Sequence, residues 1–289
     1  MGAGLNLALV AAQIGVGAWA NSVALVADAV HNAGDVLGLL AAWGASLLTR
    51  RRPTGRYTYG LGRSGILAAL LNAVLLLVGS GAILVEAAGR LLHPPPVAGW
   101  PVLLVAALGI AVNGGSALLF VGGQRDVNRR AAFQHLVADS AVSAGVMLAA
   151  LGIALTGWLW LDPAASLLIS AVIIAGTWGL LRESTNLALD AVPEGVDVGE
   201  VQSALAGLPG VREVHHVHIW ALSAERTALT AHLVADPAAS PGGDPGAPDL
   251  TAQGAAVLRE RFGISHATLQ VETAEAARGC APCAAGAAV

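Results

Sequence analysis

The stretch VADAVHNAGD occupies residues 26–35 and is apolar apart from a few polar side chains. Its three ionisable residues are Asp28, His31 and Asp35. His31 and Asp35 are four positions apart, so on an α-helix they share one face, with Cβ atoms about 5–6 Å apart. The same H-x-x-x-D spacing recurs at His135 and Asp139 in a second apolar stretch. Each pair could therefore chelate one metal ion.

Two such helices facing each other offer two imidazoles and two carboxylates, a ligand set suited to tetrahedral Zn²⁺. The spacing alone is weak, because His232 and Asp236 share it on a predicted strand, where four residues span about 13 Å. A buried His–Asp pair can also be a structural hydrogen bond. Within a bilayer, however, ionisable groups are costly and tend to mark ion or proton pathways. Asp28 keeps two interpretations: a neighbour or entry residue of the ion site, or a helix-packing residue.

The composition indicates a membrane protein. Of 289 residues, 55% are hydrophobic and only 12% are charged, whereas soluble domains carry about a quarter charged residues. A helix that spans a bilayer needs about 20 mainly apolar residues. Six segments satisfy this requirement: 3–20, 22–48, 62–89, 98–122, 131–157 and 163–184.

The charges of the connecting loops predict the orientation of these helices. Loops 50–63 and 122–130 hold eight of the fifteen basic residues, all arginines, while the loops near residues 21 and 160 hold none. Arginine-rich loops remain in the cytoplasm, so both termini are expected there. The use of arginine without lysine is typical of a GC-rich, bacterial genome, and we expect a multi-pass protein of the cell (inner) membrane.

A small α+β domain is predicted after residue 185. Alternating stretches at 212–221 and 226–235 indicate an antiparallel strand pair. A helical segment at 198–207 precedes this pair, and a second helical segment at 249–262 and a third strand at 266–272 follow it. The resulting order is α-β-β-α-β. The predicted division is a six-helix transmembrane domain, an α+β domain and a flexible tail, at 1–185, 186–273 and 274–289.

Several motifs resemble those of the cation diffusion facilitators, and specifically of their zinc-transporting branch. They occur in order along nearly the whole chain: VADAVHNAGD, YTYGLGR, HLVADS, VHHVHIW and ATLQVE. The resemblance implies six transmembrane helices, a ferredoxin-like cytosolic domain, and a homodimer that exchanges divalent metal ions for protons. It also implies a transport site near mid-membrane, formed by His31, Asp35, His135 and Asp139.

Both H-x-x-x-D pairs begin with histidine, which by this resemblance favours Zn²⁺ over Cd²⁺, although such a site also suits Co²⁺. A second metal site that some relatives hold between the second and third helices is expected to be absent, because loop 50–63 contains neither Asp nor His. Arg63 and Asp190 match a hinge ion pair of relatives that could lock the dimer. Alternatively, Arg63 only supports the cytoplasmic location of its loop.

The resemblance also places a cytosolic metal site at His215, His232 and Glu272. Gln270 matches another ligand position but is a poor Zn²⁺ ligand. Two cysteines of the tail, Cys280 and Cys283, form a C-x-x-C zinc half-site that could complete it, or they are free thiols. Strand alternation predicts that His216 and His218 share one face and that His215 points to the other; His218 is expected to pack the sheet or the dimer.

The leading functional hypothesis is proton-coupled efflux of Zn²⁺ from the cytoplasm by alternating access, with Zn²⁺ as the substrate and as a regulatory ligand. An intramembrane zinc enzyme is less favoured, because the sequence has no H-E-x-x-H motif and four ligands leave no open position. A metal sensor, a passive channel and a Cd²⁺ or Co²⁺ transporter remain as alternatives. The expected partners are a second copy of the chain, metal ions, protons and lipid, and no nucleic acid.

Overall fold

A computed structural model of the protein describes residues 2–121, 127–236 and 249–278. The chain packs into two compact units. One consists of Met1–Gly44 and Ala68–Arg182, and the other of Ala45–Leu67 and Glu183–Val289. The segment between the second and third helices therefore packs with the C-terminal part of the chain.

Six long helices make up the N-terminal part of the chain. They are α1 (Gly2–Trp19), α2 (Val23–Thr49), α3 (Ser64–Leu92), α4 (Gly99–Leu118), α5 (Val127–Thr156) and α6 (Leu161–Ala188). Each coincides with one predicted segment, and the ends differ by at most four residues. The turn between α1 and α2 lies at Asn21, whose positive φ of 58° ends the first helix.

Five of these helices, α2 to α6, are long and apolar enough to cross a membrane, and α1 contains a shorter apolar stretch, Gly4–Trp19. Many large apolar side chains point away from the protein interior, among them Leu39, Val78, Leu104, Leu148 and Leu168. Such an apolar exterior suits contact with lipid. The predicted class, a helical membrane domain followed by a small α+β domain, is confirmed.

Small residues allow α4 and α5 to approach closely. Ala106 and Ala150 are buried in the core of the N-terminal unit. A Cβ atom added at Gly99 would lie 2.8 Å from the backbone oxygen of Ala150, and one at Gly109 would lie 2.9 Å from the hydroxyl of Ser143. Close packing of small residues is a principal source of helix association in membranes, where apolar burial between helices gains little.

The C-terminal part of the chain has the predicted order of helices and strands. It comprises α7 (Val198–Ala206), β1 (Val211–Ser223), β2 (Arg226–Ala235), α8 (Leu250–Phe262), β3 (His266–Glu272) and α9 (Ala274–Arg278). The sheet order is β1-β2-β3, with β1 antiparallel and β3 parallel to β2. The short helix α9 differs from the prediction, because it lies where the flexible tail was expected to begin.

Side-chain caps and an apolar core position this sheet. Asp249 caps α8 by accepting hydrogen bonds from the backbone N–H groups of Thr251 and Ala252, and a further hydrogen bond from the Thr251 hydroxyl contributes most to lowering the pKa of Asp249. Leu205 of α7, Leu233 of β2 and Leu258 of α8 are fully buried in one cluster. The two helices α7 and α8 thus cover the sheet with apolar side chains.

The close approach of α4 and α5 can be tested by adding a methyl group at Gly99. Gly99→Ala places a Cβ against the backbone of α5, which cannot rotate away, so we expect a loss of about 1–3 kcal/mol of stability. The control is Gly115→Ala on the same helix, where no atom lies within 4 Å of the added Cβ. Thermal unfolding in detergent measures both variants, and equal stabilities would contradict the proposed packing.

Candidate metal sites

Side chains from α2 and α5 converge on one point in the N-terminal unit. Ligand atoms of His31, Asp35 and Asp139 all lie within 4.8 Å of one another. His31 and Asp35 are one helical turn apart on α2, and Asp139 comes from the facing helix. The arrangement predicted from the H-x-x-x-D spacing is therefore present for these three residues.

His135 of α5 lies next to this group. Its Nε2 lies 3.6 Å from Oδ1 of Asp35 and 3.6 Å from Oδ2 of Asp139. Nε2 of His31 lies 3.1 Å from Oδ1 of Asp139 and 4.0 Å from Oδ2 of Asp35. With bonds of about 2.0–2.2 Å, neighbouring ligands of a tetrahedral zinc ion lie about 3.4 Å apart. The mutual distances fit one ion for His31, Asp35 and Asp139, whereas His135, whose ring centroid lies 6.4 Å from that of His31, stands next to both carboxylates at the edge of the group.

The ligands of the site differ in exposure. The side chain of Asp139 is 5% exposed, whereas that of His135 is 52% exposed. Oδ2 of Asp35 is shielded from solvent and has no hydrogen-bond partner among the described residues. A buried carboxylate oxygen without a donor is costly, and a bound cation would satisfy it.

Asp28 is not a member of this ligand group and lies in a buried polar network about one helical turn before His31. Oδ2 accepts hydrogen bonds from Nε2 of Gln13 at 2.7 Å and from the hydroxyl of Ser143 at 2.9 Å. Oδ1 accepts one from Nδ2 of Asn32 at 3.3 Å, and the Asn32 amide also donates to Oε1 of Gln13 at 3.1 Å. The network joins α1, α2 and α5, which supports the helix-packing interpretation of Asp28.

Gln13 and Ser143 were not singled out from the sequence. Both are fully buried, and neither has a spacing along the sequence that pairs it with Asp28. Their polarity within a membrane helix was the available signal, since such residues hydrogen-bond between helices. Identifying the partner requires knowledge of which helices are neighbours.

In the C-terminal unit, Arg63 and Asp190 form the ion pair expected from the sequence, with a guanidinium N–H donating to the carboxylate. The pair joins the segment that precedes α3 to the residues that follow α6. The two side chains are 40% and 57% exposed, and exposed ion pairs contribute little to stability.

A second group of ligands lies across the three strands. Ligand atoms of His215, His232 and Glu272 lie within 4.8 Å of one another. Nε2 of His215 is 2.6 Å from Oε1 of Glu272, and Nδ1 of His232 is 3.6 Å from the same oxygen. The strand register brings them together, because His215 pairs with His232 and Glu272 pairs with Val234, two residues further along β2. Cys280 and Cys283 lie outside the described residues.

Gln270 supports this group without belonging to it. Its amide nitrogen donates a hydrogen bond of 3.2 Å to Oε2 of Glu272, which leaves Oε1 facing the two histidines. Residues that orient a ligand in this way strengthen metal binding. The expected weakness of Gln270 as a direct ligand is thus compatible with a role in positioning Glu272.

One expectation for strand β1 is wrong. Alternation separates His215 from His216, but their ring centroids lie 5.6 Å apart, and the ring of His216 is 5.3 Å from that of His232. The reason is an irregularity of register between His215 and His218, at which His216 takes a positive φ of 52°. Desolvation and the neighbouring imidazoles, chiefly that of His232, lower the pKa of His216.

The sequence also matches known protein families along most of its length. The family model of the cation efflux transmembrane domain matches residues 1–187, and that of the cation efflux protein cytoplasmic domain matches residues 193–274. The chain belongs to the cation diffusion facilitators. Members of this family are multi-pass membrane proteins that export metal cations, and they are not enzymes.

Three relatives show the range of this facilitator's family. This chain is 36% identical to the metal cation efflux system protein CzcD of Cupriavidus metallidurans, over 92% of its own length and 83% of that protein. It is 35% identical to the zinc transporter ZitB of Escherichia coli, over 93% and 85%. It is 31% identical to the cadmium, cobalt and zinc/H(+)-K(+) antiporter of Bacillus subtilis, over 88% and 81%.

The Asp28 network predicts a difference between two serines of α5. Ser143→Ala removes a donor from a buried carboxylate, so we expect a loss of about 0.5–2 kcal/mol, the range found for hydrogen bonds between membrane helices. The control is Ser140→Ala, because the Ser140 hydroxyl donates only to Leu136 of its own helix, at 2.8 Å. Thermal unfolding in detergent measures the loss. If both variants are equally stable, the network does not hold the helices together.

Proposed function

We propose that this facilitator exports Zn²⁺ from the cytoplasm in exchange for protons. The observation that carries the proposal is the convergence of His31, Asp35 and Asp139 within 4.8 Å, with His135 3.6 Å from both carboxylates. Two carboxylates balance the charge of a divalent cation, and two imidazoles supply nitrogen ligands. This combination suits Zn²⁺ inside an apolar bundle.

Protons and zinc compete for the same atoms. A neutral imidazole binds a metal ion, while a protonated one has no lone pair to offer, so metal binding releases protons. Histidine has an ordinary pKa of about 6.5 and changes charge near physiological pH. At the side with the higher pH, Zn²⁺ therefore displaces protons from His31 and His135. At the more acidic side, protons displace Zn²⁺.

The position of the site supports alternating access. Transporters commonly place their substrate between helices near the middle of the membrane and open it to each side in turn. The 52% exposure of His135 beside the 5% exposure of Asp139 describes a site that is accessible from one direction. In this state the zinc ion would reach the site past His135, with Asp139 at the closed end, and it would leave after the site has opened to the other side.

A transporter of Cd²⁺ or Co²⁺ is the second candidate. The name of the Bacillus subtilis relative includes cadmium, cobalt and zinc, and nitrogen and oxygen ligands also suit Co²⁺. The presence of histidine at the start of both pairs favours Zn²⁺ by the resemblance described above. We therefore propose Zn²⁺ as the main substrate and Co²⁺ as a competing one.

We also propose a homodimer in a bacterial inner membrane, with both termini in the cytoplasm. The support for this orientation is the concentration of arginine in loops 50–63 and 122–130. The ion pair between Arg63 and Asp190 would lie at that side of the membrane. There it would join the transmembrane helices to the C-terminal domain and brace the dimer.

The C-terminal group would hold a regulatory zinc ion. His215, His232 and Glu272 supply two nitrogen ligands and one oxygen ligand within 4.8 Å, and Cys280 and Cys283 could add sulfur ligands from the tail. The 3.6 Å between Nδ1 of His232 and Oε1 of Glu272 is too long for a hydrogen bond and fits two ligands of one ion. The occupancy of this site would follow the cytosolic Zn²⁺ concentration, which export lowers.

The transport site is tested by measuring flux in vesicles with an imposed pH gradient. We expect Asp35→Ala and His135→Ala to abolish proton-linked Zn²⁺ uptake, because each removes one of four ligands. Both variants should still fold and assemble as wild type does on size-exclusion chromatography.

The matched control is His93→Ala, which removes an exposed histidine between α3 and α4 and should leave transport unchanged. Unchanged flux in both site variants would refute the site. Flux in the wild type that persists after collapse of the pH gradient would indicate a passive channel rather than an antiporter.

A further inference from the structure

The imidazole of His216 has no part in the function proposed so far. Its φ of 52° lies in the left-handed region, which residues other than glycine adopt uncommonly and at a cost in free energy. The residue falls in the gap of register between His215 and His218, where β1 and β2 lose regular pairing. Strained conformations of this kind persist where the surrounding structure enforces them, and they are concentrated at functional sites.

The strained backbone brings a third imidazole to the C-terminal ligand group. The ring of His216 lies 5.3 Å from that of His232 and 5.6 Å from that of His215, centroid to centroid. Regular alternation along β1 would have placed His215 and His216 on opposite faces. The irregularity therefore has a specific consequence: adjacent histidines of one strand face the same partner on the next strand.

Nε2 of His216 is an unpaired buried atom within the part of the chain that the structure describes. It is shielded from solvent and has no hydrogen-bond partner among the described residues. Buried polar atoms are nearly always hydrogen-bonded, and an exception calls for an explanation such as an ion. A ring nitrogen beside two histidines that belong to a ligand group is a suitable further donor for a divalent cation of borderline softness.

We propose that His216 is a ligand of the C-terminal metal ion, so that His215, His216, His232 and Glu272 form a four-ligand site for Zn²⁺ or Co²⁺. The inference rests on the regulatory site proposed above and adds a ligand to it. Four donors from three imidazoles and one carboxylate satisfy tetrahedral Zn²⁺. These four residues belong to the folded domain, so the C-terminal domain binds its first metal ion without ligands from the tail cysteines.

The experiment uses the full-length chain with Asp35→Ala and His135→Ala, so that the transport site does not contribute to metal binding. Zn²⁺ binding is measured by equilibrium dialysis in detergent, and Co²⁺ binding by its visible absorption. The test variant is His216→Gly, because glycine accepts the positive φ without strain. We expect the thermal unfolding temperature of the metal-free protein to be maintained or raised, and Zn²⁺ affinity to fall about tenfold or more.

Three further variants separate the outcomes. His218→Ala is the matched control, because His218 lies on the same strand with its ring 5.8 Å from that of His216. It should bind Zn²⁺ as tightly as the parent protein, which carries only Asp35→Ala and His135→Ala, because His218 is outside the ligand set. Cys280→Ser with Cys283→Ser should also retain the first ion. His215→Ala should lose it.

Each result decides one question. Parent-like affinity in His216→Gly together with a loss in His215→Ala would overturn the role of His216 and leave the regulatory site in place. Parent-like affinity in both would overturn the regulatory site as well. An equal loss in His218→Ala would attribute the effect to disturbance of the strand, and loss of the first ion in the cysteine variant would overturn the four-ligand set.

Discussion

A carboxylate inside a lipid-facing helix bundle must be compensated, and this constraint shapes the N-terminal half of the protein. Asp28 and Asp35 are seven residues apart on α2, which is two helical turns, and the structure treats them differently. Asp28 accepts three hydrogen bonds, from Gln13, Asn32 and Ser143. Oδ2 of Asp35 has no such partner among the described residues. Neutral donors satisfy Asp28, whereas Asp35 keeps an unpaired oxygen, which the proposed transport site would use for its cation.

The same constraint accounts for the close packing around α5. A network that satisfies Asp28 requires α1, α2 and α5 to meet at short range, and Gly109 of α4 leaves the space that Ser143 occupies. Asp139 and Ser143 are one turn apart on α5. The helix that completes the metal site is therefore held next to α2 by a polar network that is independent of the metal.

The sequence predicted those features that depend on the periodicity of a single helix or strand. The spans, the order of the C-terminal elements and the grouping of His31 with Asp35 follow from spacing along one element, and so does the grouping of His135 with Asp139. The partners of Asp28 could not be predicted in the same way, because Gln13 and Ser143 meet it only once the helices pack. The position of His216 depends on an irregular strand pairing, which leaves no mark in an alternating pattern.

The two ligand groups differ in how firmly their members are held, and the difference agrees with the functions proposed for them. In the C-terminal group, Gln270 fixes Glu272 through its second oxygen, and such outer hydrogen bonds strengthen metal binding. In the transmembrane group, Nδ1 of His31 has no hydrogen-bond partner among the described residues, and His135 is half exposed. A site whose ligands are loosely held can release its ion when protons arrive, as a transporter requires, because tight binding would stop turnover. The proposed regulatory site, with Glu272 braced by Gln270, is built for tighter binding than the proposed transport site.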